Sequence, residues 1–195
     1  MMRNLLYAAS AFILLAGSAV SASDIRRVVT ALDADNKAVV LFDSQLQLRG
    51  AAPRPPMLNL WITDSSPPGF SFKDDAAAEP IGLTPPDNGT VFRVVEFPSH
   101  DPASEAKTDP NFLMKVIGDR APTRGLPVKH PLMHRTRSVD YGVVLSGEID
   151  MMLDDAVVHF KPGDVVVMQA TNHAWINHGN EPCRMLFVLI DAKQP

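Results

Sequence analysis

From Ser138 onward, apolar positions come in short runs: Val139–Leu145, Ile149–Leu153, Val157–Phe160, Val165–Met168, Ala174–Ile176 and Met185–Ile190. They are cut by Ser146-Gly147-Glu148, Asp154-Asp155, Lys161-Pro-Gly-Asp164 and Gly179-Asn-Glu-Pro182. Runs of this length, rich in β-branched residues and closed by turn formers, predict successive antiparallel strands. No amphipathic helical stretch lies between them, which disfavours a parallel α/β fold. Earlier in the chain, Arg27–Thr30, Ala38–Phe42, Leu58–Thr63 and Thr90–Phe97 also read as strands, separated by Pro-rich loops such as Ala52-Pro-Arg-Pro-Pro56 and Thr84-Pro-Pro-Asp-Asn-Gly89. The first two flank Asp33-Ala-Asp-Asn36 and predict a hairpin. A single helical turn is expected at Asn111–Ile117. The pattern as a whole predicts an all-β barrel or sandwich.

The apolar block at the start is of another kind. Arg3 precedes an apolar stretch from Leu5 to Ala16, and Gly17-Ser-Ala-Val-Ser-Ala22 supplies small residues for cleavage after Ala22, the form of a secretory signal peptide. Roughly 12 to 16 apolar residues fall short of the ~20 that span a bilayer, so a stable membrane anchor is not expected. The chain therefore divides into a signal peptide (1–22), an N-terminal β extension with Pro-rich loops (23–124) and a β core (125–195), with export to a periplasmic or extracellular space.

Composition narrows the function. A net charge of −4 and a pI near 5.8 give no footprint for phosphate backbones, so no nucleic-acid partner is expected. The single cysteine, Cys183, excludes an intrachain disulfide and any multi-thiolate zinc site.

His134, Thr136 and Asp140 are spaced by even numbers, so on an extended segment they share a face, and His173 opens a later strand that could meet them. Two imidazoles and a carboxylate are the donors of a facial triad for Fe2+, and suit Mn2+, Ni2+ or Zn2+ as well. Three scattered polar residues with structural roles remain the competing reading. Trp175, Phe187 and Met185 are expected in the core or a pocket, and His159 and His178 at the surface. Tyr141, Arg135 and Arg137 fall on the face opposite Asp140, the two arginines as surface or dimer contacts. His130 reads as a loop histidine, and His100 carries no signal.

The segment from His134-Arg-Thr-Arg-Ser-Val-Asp140 to Gly147-Glu resembles the first cupin motif, and Gly163 to His173-Ala-Trp-Ile-Asn177 resembles the second. Within that superfamily the chain is similar to small single-domain cupins that carry His-Arg-Thr-Arg-Ser, Asp-Tyr and Asn-His-Ala-Trp. The resemblance implies a jelly-roll barrel, a homodimer and metal ligands at His134, Asp140 and His173. It departs from the family at Thr136, which replaces the second motif histidine, at Asp140, which is shorter than the motif glutamate, and at Gln169 and Thr171, where Pro and Gly are usual. Thr136, Val144, Gln169 and Trp175 are the expected pocket residues. The implied function is an exported, metal-dependent oxidoreductase, dioxygenase or lyase acting on an oxygenated organic substrate. Its alternative is a non-catalytic cupin that binds a small ligand.

Overall fold

The computed structural model describes residues 24–50, 54–77 and 82–195. The expected signal peptide lies outside them. Among the described residues, no helix is long and apolar enough to cross a membrane.

Strands β1 (Asp24–Leu32) and β2 (Ala38–Gln47) form the expected hairpin, with a register shift between Val29 and Thr30. Its turn is built by Asp33, whose Oδ1 accepts from the backbone N–H groups of Asp35 and Lys37, both at 2.9 Å, while Asn36 takes a left-handed φ of 61°. One buried residue ties the hairpin to the rest of the molecule. Arg27 donates to the Leu60 carbonyl at 3.0 Å and forks onto the Asp75 carboxylate, with one contact at 2.8 Å.

The main sheet is antiparallel with the order β3 (Met57–Thr63), β4 (Thr90–Phe97), β10 (Cys183–Asp191), β5 (Ser138–Ser146), β8 (Val165–Gln169). It runs across residue 124, since β3 and β4 come from the N-terminal half of the chain. A smaller sheet has the order β7 (Val157–Phe160), β6 (Ile149–Met152), β9 (Ala174–Ile176). The sheets remain open at their edges and bury their inner faces together, consistent with a jelly roll. Val91, Val144, Met185 and Phe187 from the first meet Ile149, Met151, Phe160 and Trp175 from the second. Period-two burial on β5 and β10 follows from this arrangement: every second residue enters the core, and Tyr141 stays exposed.

The β5–β6 turn requires glycine at 147. Its φ is 72°, and a Cβ there would stand 2.6 Å from the Pro182 carbonyl oxygen. Between β4 and β5 the chain forms α1 (Pro102–Glu105), α2 (Phe112–Ile117) and a 3-10 turn over Gly118–Arg120. Asp101 caps α1, its Oδ1 accepting from the Ala103 N–H at 3.0 Å.

Candidate active site

Two histidines are brought together by backbone pairing just before β5 and β9. His134 and His173 exchange N–H···O bonds of 2.9 Å as an isolated antiparallel bridge, and their rings lie 4.5 Å apart between centroids. Each Nδ1 is 3.0 Å from a carbonyl oxygen, Leu132 for His134 and Thr171 for His173. A carbonyl can only accept, so each Nδ1 carries the proton and each Nε2 keeps its lone pair. Burial lowers both pKa values. His173 is pushed down to about 3, with the neighbouring His134 adding to the effect, so both rings are neutral at physiological pH.

Beside them, Ser138 and Asp140 stand on one face of β5 and Thr136 lies just before it, all buried. The Thr136 and Ser138 hydroxyls are 2.7 Å apart, and Thr136 Oγ1 donates to Asp140 Oδ2 at 3.4 Å. Thr136, at the position of the second motif histidine, thus serves the carboxyl group. Among the described residues, Asp140 Oδ1 has no hydrogen-bond partner. Burial pushes the Asp140 pKa up to about 6, against hydrogen bonds from Ser138 and Thr136 and the positive field of Arg93. A carboxyl group poised there can release and accept a proton near neutrality.

His134, Thr136, Asp140 and His173 open on a cavity of about 330 Å³. Its walls are apolar, with Met57, Leu113, Leu132, Trp175, Phe187 and Leu189 among them, and His134, Thr136, Asp140, His173 and Arg93 supply polar groups. Trp175 is the hub of the aromatic side, with Phe97, Phe160 and Phe187 at 5.6–6.1 Å between centroids. An apolar chamber with a few convergent polar groups is the usual form of a small-molecule site.

Residues 126–189 match the family described as Cupin domain. The chain carries a cupin domain. A segment of 69 residues is 51% identical to phomopsin biosynthesis cluster protein C' of Diaporthe leptostromiformis, covering 34% of this chain and 36% of that protein. Another match of 69 residues is 50% identical to a cupin-domain-containing oxidoreductase of Aspergillus ruber, covering 33% of this chain and 34% of that protein. The match thus spans about a third of the length of these curated relatives. Among solved structures, the cupin domain of Schizosaccharomyces pombe Cnp3 aligns over 87% of this chain and 84% of that one, at 13% identity and a TM-score of 0.42.

Within the cupin domain, some expectations about the pocket change. Gln169 is exposed, and its neighbour Met168 faces the cavity, because Asp140 pairs with Met168 across β5 and β8 and directly opposed residues share a face. Val144 is buried in the core cluster and does not line the cavity. Arg135 turns inward to hold loops, donating to Asn172 Oδ1 at 2.7 Å and to the Leu126 carbonyl at 2.8 Å. Arg137 pairs with Asp87 and Asp191.

Three residues of the site come from segments that carried no expectation of it. Arg93 enters from β4, and His100 and Glu105 come from the loop and first helix that follow. The Leu132 N–H donates to His130 Nδ1, which leaves the ring proton on Nε2, and this donates to Glu105 Oε1 at 2.8 Å. His100 Nδ1 approaches Glu105 Oε2 at 3.4 Å.

The metal centre expected from the motifs meets only part of its requirement. The two Nε2 lone pairs suit a divalent ion, and anchoring of Nδ1 on carbonyls is the arrangement that orients ligating histidines. Asp140 does not complete the set: its Oδ2 is taken by Thr136, and among the described residues no group of three or more His, Cys, Asp or Glu side chains is placed to hold a metal ion. The expected three-ligand set does not fit this arrangement.

Proposed function

We propose that the chain is a small-molecule enzyme of the cupin oxidoreductase type, acting on an oxygenated organic substrate enclosed by the cavity. The observation that carries this reading is Asp140. A buried carboxyl group with one unpartnered oxygen faces the chamber, with a pKa raised to about 6 and two neutral imidazoles nearby. In this role Asp140 takes or returns a substrate proton. The Nε2 atoms of His134 and His173 accept hydrogen bonds from substrate hydroxyls, and Trp175 and Phe187 exclude water. The names of the relatives support the oxidoreductase class.

Mass spectrometry of a panel of small oxygenated acids, phenols and ketones incubated with the protein tests the reading. The wild type should convert at least one compound, and Asp140→Asn should bind it without converting it. Compounds that bind the wild type and are all recovered unchanged would establish the non-catalytic binder instead.

The metal-dependent version has its own support in the paired Nε2 atoms. A full equivalent of Fe2+, Mn2+, Ni2+ or Zn2+ in untagged protein, lost in both His134→Ala and His173→Ala, would establish that version. Export and a homodimer belong to the same proposal. Mature protein starting at Ser23 and a dimer by light scattering are expected, whereas a retained Met1 or a monomer at micromolar concentration would count against them.

A further inference from the structure

Arg93 is a buried charged group of the cavity that the proposed proton transfer does not use. Arg93 is only 3% exposed, yet it lies in an otherwise apolar run, Val91-Phe-Arg-Val-Val95, at the inward parity shared with Val91 and Val95. It lines the cavity. Among the described residues its guanidinium makes a single hydrogen bond, from Nη2 to the Gly82 carbonyl at 3.0 Å, and its Nε has no partner. Asp140 acts on Arg93 through its field without forming an ion pair with it.

The register shows why the two remain apart. Arg93 stands opposite Phe187 on β10, and Asp140 stands opposite Leu189, so β10 and two large apolar side chains separate them. A guanidinium is an acceptor-free fork of five N–H donors that matches a carboxylate in bidentate geometry. Burying it with donors unmet is unfavourable unless something else satisfies them. Here its surroundings are an apolar chamber of small-molecule size.

We infer that Arg93 is the anchor for an anionic ligand, and that the substrate class of this site is a small organic acid: an apolar body carrying a carboxylate. The carboxylate sits on Arg93, and the apolar body packs against Phe187 and Trp175. The reactive end of the ligand is thereby placed toward Asp140 and the histidine pair on the neighbouring wall. The inference rests on the proposed function for the identity of the site, and names what the site selects.

Calorimetric titration of benzoate and of benzamide, its neutral isostere, into the full chain tests the inference. Benzoate should bind at least about ten-fold more tightly than benzamide, the effect of one charge-assisted contact. In Arg93→Met the two should bind alike, with benzamide affinity unchanged. Arg93→Lys should keep a smaller preference, and Arg54→Met, at another cationic residue lining the cavity, should keep it whole.

Equal affinities in the wild type, no benzoate binding at all, or a preference that survives in folded Arg93→Met or disappears in Arg54→Met would overturn the inference. The wild-type comparison and Arg93→Lys decide the matter even where Arg93→Met fails to fold. A carboxylate preference without turnover of any compound would sustain the anchor while sinking the proposed reaction. Turnover without the preference would do the reverse.

Discussion

Asp140 is a destabilised residue kept inside the fold. Its folded pKa, about 6, lies above the ordinary carboxyl value, so the folded chain binds more protons than the unfolded chain between those two values. Stability contributed by this group is therefore present at low pH and lost as pH rises through the folded pKa. In Asp140→Asn the loss is absent. The difference in unfolding free energy between variant and wild type should move in the variant's favour by about 2 kcal/mol from about pH 4 to about pH 7, as measured by denaturant unfolding. The histidines push the other way below neutrality, since their folded pKa values are lowered, but they are common to both proteins and cancel in the difference. A pH-independent difference would place Asp140 in an ordinary carboxylate environment. Trp175 offers a second test at this scale. Truncation to Ala removes the hub of the aromatic cluster and should cost about 3–5 kcal/mol in the same measurement, whereas a cost below about 1 kcal/mol would deny it that role.

At the scale of elements, the site depends on how short segments are aimed. His173 follows a loop in which Ala170 takes a left-handed φ of 55°, a strained conformation for a residue with a Cβ, while its N–H reaches the Ser138 carbonyl at 3.2 Å. Ala170→Gly should relieve this strain and raise stability by about 1 kcal/mol in thermal unfolding, and a destabilised variant would contradict the strain. The same loop shows where sequence reasoning succeeds and where it stops. The even spacing of 134, 136 and 140 anticipates that these three polar residues line one cavity, although a bend at Arg137 interrupts the segment that carries them. Gln169 was misplaced because its parity depends on registration against β5, a long-range property that local alternation cannot supply. Arg93 left a legible signal, a charge at an inward parity among valines. His100 and Glu105 left none, since their place at the cavity comes from loop packing.

At the scale of the molecule, an all-β barrel or sandwich is legible from turns and short strands, the jelly roll only from the motif resemblance, and the participation of β3 and β4 in the main sheet from neither. Their partner β10 lies at the far end of the chain, and nothing in the local pattern of 57–97 names it. The N-terminal hairpin is attached through Arg27, buried between the Leu60 carbonyl and Asp75. Arg27→Met leaves Asp75 without its cation. Hydrogen exchange should then show lost protection in β1 and β2 while β5 and β10 keep theirs, and uniform loss across all four strands would mean that the hairpin unfolds only with the core.

The proposed reaction depends on a single chemical claim, that the wall of the cavity holds a carboxyl group tuned toward neutrality. Carbon-13 NMR titration of aspartate carboxyl resonances, with Asp140 assigned by its absence in Asp140→Asn, reads that claim directly. A midpoint near 6 is expected for Asp140. A midpoint in the ordinary range, near about 4, would contradict it.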